Sequence, residues 1–230
     1  MSLWQGDGLV VTWLMGGVYI ESGGDGLLLD VPPGSSRLMS PTQLGRLRAV
    51  ALSGGRMQSI GGMVGLLCQL EPGRSQDAAL SLWFALGHER GPMLAETWVR
   101  GWGRYPVTLD AEAPGAEFDV GAMAVKTVSY AAGEPRWGDE PTVESRQAVG
   151  FRVTVAGQTI AYAPAAARPQ AVQRLVRGAD LAIVEVGAVP WPRSDRQWRL
   201  TLADAVQATA DVQNTWIVGD DGHFVGGEGS

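Results

Sequence analysis

Residues 48–70 confine the fold more than any other stretch. Arg48-Ala49-Val50-Ala51-Leu52 is an apolar strand, residues 53–62 are a short loop carrying Gly54, Gly55, Gly61 and Gly62, and Met63-Val64-Gly65-Leu66-Leu67-Cys68-Gln69-Leu70 is an apolar helix. A strand that feeds a helix across so short a loop lays that helix on its own sheet. The surrounding pattern extends the theme. Residues 9–14, 18–21 and 27–30 read as strands, with a Gly-Gly-Asp-Gly turn at 23–26 and a stop at Val31-Pro32-Pro33-Gly34. Residues 41–47 read as a helix with Ser40 as N-cap and Pro41 at the first helical position. Further strands are predicted at 79–85, 107–109, 117–120, 122–130, 180–186 and 215–218, and helices at 93–101, 171–177 and 202–210. Residues 131–146 read as loop, and 150–162 as a hairpin about Ala156-Gly157-Gln158. Strand runs, strand–helix alternation and antiparallel hairpins together predict an α/β sandwich of mixed sheets covered by helices, not a doubly wound sheet.

At 230 residues, with 45% hydrophobic and 18% charged, the chain suits one domain with a substantial core, expected over 1–222 with a flexible tail at 223–230. No apolar run approaches the ~18 residues of a membrane helix, and the first residues lack the layout of a signal peptide, so a cytoplasmic protein with no membrane partner is expected. The net charge of −6 disfavours nucleic-acid binding. Cys68 is the single cysteine, so no internal disulfide forms, and its leucine neighbours predict a buried small hydrophobe. His88 and His223, the two histidines, are too few and too far apart for a histidine-rich metal site.

The loop itself invites two readings. Leu52-Ser53-Gly54-Gly55-Arg56 resembles the signature of ABC transporter ATPases, but that signature works beside a GxxxxGK[ST] phosphate loop. The single lysine, Lys126, lies in a strand-like segment, and no such loop exists. The second reading is the metallo-β-lactamase zinc motif, T-H-x-H-x-D-H-I-G-G, which has the same strand–loop–Ile-Gly-Gly–helix setting. Other segments follow in order. Val18-Tyr19-Ile20-Glu21 with Leu28-Leu29-Asp30 is similar to that superfamily's early hairpin ending in an aspartate. Residues 83–90 resemble "I-Y-G-P-x-G", Gly150-Phe151-Arg152-Val153 with Ile160-Ala161-Tyr162 resembles "G-Y-R-I … I-A-Y-T-G-D", and Asp180-Leu181-Ala182-Ile183-Val184-Glu185 resembles "D-L-L-I-H-E". The chain thus resembles the ribonuclease Z-like branch over residues 9–220. The resemblance implies a four-layer αββα sandwich of two mixed β-sheets flanked by helices, and a homodimer.

Laid over this pattern, the metal ligands fall on Gly54, Arg56, Gln58 and Ser59, then near Tyr130, on Ala165 and near Asp220, while the branch's catalytic histidine falls on Arg199. Zinc takes imidazole, thiolate or carboxylate donors, and of these positions only Asp220 supplies one. No metal or other cofactor is therefore expected, and without a metal the family's activated water has no source.

The remaining candidates divide between binding and structure. Arg56 and Arg199, carried over to the old cleft, either pair with carboxylates as an internal tie or bind an anion. Trp137, Trp191 and Trp198 lie in polar loops with Arg neighbours, as a recognition surface or as pins for their own loops. Trp13, Trp83, Trp98 and Trp216 read as core. Ser59 has no GxSxG elbow and no nearby histidine, and reads as the cap of a helix starting near Ile60. The function expected is binding of a protein partner or a small anionic ligand in a vacated cleft. The alternative is a phosphoester or ester hydrolase with a non-standard metal site drawn from Asp30, Asp220, Asp221 and His223; RNA binding without cleavage is the third.

Overall fold

The computed structural model describes residues 3–54, 57–73, 79–85, 93, 96–97, 105–112, 115–129, 149–164, 169–187, 200–219 and 223–226. They form two mixed sheets of seven strands each, and the chain divides into two compact units, Met1–Ala113 with Asp119–Ala122 and Pro114–Phe118 with Met123–Ser230.

The first sheet runs in chain order: β1 (Leu3–Gly6), β2 (Leu9–Trp13), β3 (Val18–Ser22), β4 (Asp25–Leu29), β5 (Leu47–Leu52), β6 (Leu80–Ala85) and β7 (Val107–Glu112). β1 to β4 form an antiparallel meander; β4 to β7 are parallel. The β3–β4 turn is tighter than expected: Ser22 pairs with Asp25, and Gly23 and Gly24 both hold positive φ (60° and 90°), the conformation a two-residue hairpin turn requires. Helix α1 (Pro41–Arg46) begins as predicted, with Ser40 Oγ accepting from the Gln43 amide (3.2 Å) and Gln43 Oε1 accepting from the Ser40 amide (2.8 Å). After α2 (Met57–Ile60) comes α3 (Met63–Leu70), which covers one face of this sheet with Met63, Leu66, Leu67 and Leu70 against Val50, Leu82 and Phe84. Each of those helix side chains stabilises the fold by roughly 1.5–3 kcal/mol over an exposed one.

The same periodicity corrects the expectation for Cys68. Positions 63, 66, 67 and 70 make the buried stripe, and Cys68, a hundred degrees further round, is exposed. Trp83 is half-buried rather than core, because in β6 it alternates with Leu82 and Phe84, which take the helix-facing side. Trp13 and Trp216 are buried as expected. β1 was not expected: Leu-Trp-Gln-Gly carries no β-branched residue, and its ladder with β2 creates the strand. Of the helix predicted at 93–101 only Met93, Glu96 and Thr97 are described, Thr97 Oγ1 donating to the Met93 carbonyl (2.8 Å).

The second sheet also runs in chain order: β8 (Glu117–Val120), β9 (Met123–Ser129), β10 (Val149–Val155), β11 (Gln158–Ala163), β12 (Leu181–Val186), β13 (Asn214–Gly219) and β14 (Phe224–Gly226). β9, β10 and β11 are antiparallel, β11 to β13 parallel, and β14 antiparallel to β13. The predicted hairpin closes at Val155 and Gln158 through Ala156 (φ 50°) and Gly157 (φ 80°). Helices α4 (Pro169–Val176) and α5 (Leu202–Ala208) pack Val172, Leu175 and Ala205 on Ala161, Ala182 and Val184. Thr201 and Asp204 form a reciprocal cap at the start of α5. Part of the expected tail is a strand: Phe224 pairs with Val218, and its ring meets Trp216 edge-on at 5.9 Å. An aromatic contact of that kind secures a short edge strand that composition alone reads as loose. No helix among the described residues is long and apolar enough to cross a membrane.

Candidate functional site

In the first sheet the carboxyl ends of β4 and β5 lie side by side, which is where open α/β sheets place their ligands. Asp30 follows β4 and Ser53 follows β5, the two strands being parallel with Leu29 opposite Ala51. Asp30 is buried and adopts a left-handed backbone (φ 58°), which aspartate tolerates better than most residues. Its own amide donates to the Ala51 carbonyl at 2.9 Å. Its carboxylate then forks around residue 53: Oδ1 accepts from the Ser53 amide at 2.7 Å, and Oδ2 from the Ser53 hydroxyl at 2.6 Å. Charge-assisted bonds of this length are about twice as strong as neutral ones.

The following segment is tied in the same way. Ser59 sits inside α2, is buried, and brings its Oγ to 3.1 Å from Ser53 Oγ. Its carbonyl accepts from the Val31 amide (2.7 Å), and the Val31 carbonyl accepts from the Gly62 amide (2.7 Å). Contact is too close for side chains at two glycines. A Cβ on Gly62 would stand 2.3 Å from the Pro32 carbonyl oxygen, and one on Gly17 would stand 2.8 Å from the Asp30 carbonyl oxygen. The expectation that Ser59 caps a helix is therefore corrected. The N-cap of α3 is Gly62, and Ser59 bonds sideways to Ser53.

Gly54 differs from Gly62 in kind. It is buried, its φ is not left-handed, and no described residue lies within 4 Å of where its Cβ would be. The position carried over as a first metal ligand thus has no side chain to donate. Gln58 lies in α2, its side chain outside the described residues. Arg56, Tyr130, Ala165, Asp220, Asp221, Arg199, Trp137, Trp191 and Trp198 also lie outside them. Of the residues considered for a non-standard metal site, Asp30 has both oxygens hydrogen-bonded to Ser53, and His223 is an exposed residue whose carbonyl accepts from the Gly219 amide (2.7 Å). Among the described residues no group of three or more His, Cys, Asp or Glu could hold a metal. The donors present at Gly54 and Ser59 do not fit a zinc centre: one position has no side chain, and the other is a hydroxyl turned into the protein.

A second buried polar pair lies at the carboxyl end of the other sheet's parallel strands. Tyr162 of β11 donates its hydroxyl to Glu185 Oε1 of β12 at 2.9 Å, and both residues are buried. Neither Ser53 nor this pair was assigned a role from sequence. For Ser53 the signal was available: a carboxylate ending one parallel strand and a hydroxyl ending its neighbour.

Residues 84–218, more than half of the sequence, match the beta-lactamase superfamily domain. The chain belongs to this superfamily. Its members are mostly metal-dependent hydrolases. No curated protein matches the chain by sequence. Several solved structures share its fold. The metallo-beta-lactamase fold protein YhfI from Bacillus subtilis is 17% identical, with a TM-score of 0.65 over 87% of this chain and 76% of that one. Human tRNase Z, short form, is 15% identical, with a TM-score of 0.64 over 87% and 83%. A diphosphatase from the PhnP family is 16% identical, with a TM-score of 0.64 over 89% and 74%. Identities this low establish the metallo-β-lactamase fold and nothing about activity. The fold read from sequence, with ribonuclease Z-like neighbours and two mixed sheets, is the one observed.

Proposed function

We propose that this superfamily member acts by binding, not by metal-dependent hydrolysis. Its ligand is a protein partner or a small anionic molecule, seated where its relatives carry their metals. The observation that carries this reading is Gly54: a buried residue with no donor side chain, at the position that the resemblance gives to a metal ligand. Ser59, a second ligand position, supports it, since its hydroxyl bonds to Ser53. On this reading Arg56 and Arg199 supply positive charge to an anionic group, and Trp137, Trp191 and Trp198 supply flat apolar contact area.

The test is metal content after incubation with zinc and manganese and removal of the excess. Well below one metal per chain is expected, with no hydrolysis of a phosphodiester such as bis(p-nitrophenyl) phosphate. One or two tightly held ions together with turnover would overturn the reading and establish a hydrolase with a non-standard site. A phosphodiester is the informative substrate because two of the structural neighbours are a tRNase and a diphosphatase.

A further inference from the structure

The hydrogen bonds around Ser53 have a direction. A carboxylate only accepts, so the single hydroxyl proton of Ser53 goes to Asp30 Oδ2, at 2.6 Å. The 3.1 Å contact between Ser53 Oγ and Ser59 Oγ must then be donated by Ser59. The result is a one-way chain, Ser59 to Ser53 to Asp30, ending on a buried charge. Bonds in such a chain polarise and strengthen one another. At its far end the Ser59 carbonyl holds the Val31 amide, which closes a ring through the segment after β4.

We propose that Ser59 is a positioning residue that replaces a metal–ligand bond with a hydrogen bond, so that Ser53 and α2 hold their places with no metal. The inference rests on the metal-free reading above. A side chain at a ligand position is normally fixed by its metal; here it is fixed by donating inward. The order of Ser53 and of residues 59–62 then depends on the Ser59 hydroxyl and not on zinc.

Amide hydrogen exchange by NMR, on the full chain, tests it at protons whose acceptors are known: Ser53 (to Asp30), Val31 (to Ser59) and Gly62 (to Val31), with β10 Val153 as a reference in the other sheet. Ser59→Ala is expected to speed exchange at Ser53 and Val31 about three- to tenfold, leaving Val153 unchanged, as loss of one hydrogen bond implies. In a Ser53→Ala background the same substitution is expected to do nothing further, because its acceptor is gone; that non-additivity separates the chain from general loosening. A Ser53 hydroxyl proton slowed enough to be observed is expected as a spectroscopic marker, and it is expected to exchange faster in Ser59→Ala. Additive effects, or exchange within twofold of wild type in Ser59→Ala, overturn the proposal while leaving the metal-free reading standing. Zinc that binds wild type and slows exchange at Ser53 overturns both.

Discussion

Gly62 is the residue whose replacement most directly tests the packing of this loop. Its backbone angles (φ −91°, ψ −3°) are open to any residue, so conformational strain plays no part. On propensity alone Gly62→Ala gains about 0.4–1 kcal/mol, by narrowing the unfolded ensemble. Against that stands a Cβ 2.3 Å from the Pro32 carbonyl oxygen and 3.0 Å from that of Val31, both main-chain atoms that cannot swing aside. Relieving the contact separates the two segments and lengthens the 2.7 Å bond from the Gly62 amide to Val31, worth about 0.5–1.5 kcal/mol. Overpacking adds about 1–3 kcal/mol. At mid-range the net expectation is a loss of about 2 kcal/mol, which at roughly 2–4 °C per kcal/mol lowers Tm by about 4–8 °C. The control lies in the same compact unit. Gly45 is an exposed position in α1 where an added Cβ meets nothing, so Gly45→Ala is expected to gain about 0.5–1 kcal/mol. Thermal and urea unfolding of both variants decide the matter. Should Gly62→Ala prove as stable as wild type, the two segments are not in the contact described, and the account of the loop fails with it.

Two further outcomes follow from buried polar groups. Tyr162→Phe removes the hydroxyl donor to Glu185, and the cost of under-serving a buried carboxylate is about 1–3 kcal/mol in urea unfolding; an unchanged midpoint would show that the pair contributes nothing. Tyr19 is buried beside Glu21, to whose Oε2 its hydroxyl donates at 3.0 Å. Burial first, then the Glu21 carboxylate, hold its phenol well above the usual range, with Arg46 opposing. A folded pKa above the unfolded value of about 10 means a stabilisation fully present below pH ~10 and lost as pH rises past it. Stability of the wild type is therefore expected to fall at alkaline pH more steeply than that of Tyr19→Phe, and parallel curves would refute the assignment.

How much of this was legible depends on what fixed each element. Strands such as β2, β3, β5 and β12 were readable because a buried strand needs apolar, often β-branched side chains wherever it lies. The caps at Ser40 and the turn at Ala156-Gly157 were readable because their chemistry is local. β1 and β14 were not: each is a short edge strand made by its neighbour's ladder, and β14 by the ring of Trp216 as well. Ser59 was misread because a serine before an apolar helix usually caps it, whereas here Ser53, six residues earlier, lies closer than any cap. The Tyr162–Glu185 bond joins strands through the tertiary fold, and no local signal carries it.

On the reading proposed here, Asp30, Ser53 and Gly62 explain how a family pattern stays readable where its ligand residues do not. The positions that still match it are those held by packing and by main-chain hydrogen bonds. Gly62 has no room for a side chain, and Asp30 holds both the amide and the hydroxyl of Ser53. Changing any of these is expected to cost this chain stability, whatever it binds. A metal ligand is constrained differently. The φ of Gly54 is not left-handed, so its backbone does not demand glycine, and no described residue stands within 4 Å of an added Cβ. Such a position is fixed only by the metal it serves, and on the reading proposed here that demand is gone. Gly54→His therefore separates scaffold from site. The variant is expected to fold without loss of stability, because no described residue stands within 4 Å of the added Cβ, and to bind no zinc by itself, because Ser59 still donates inward and supplies no ligand. Measured together, Tm and zinc content of that one variant test both halves of the argument. A destabilised protein would show that position 54 is closed to a side chain, and a stoichiometric zinc ion would deny the missing ligands.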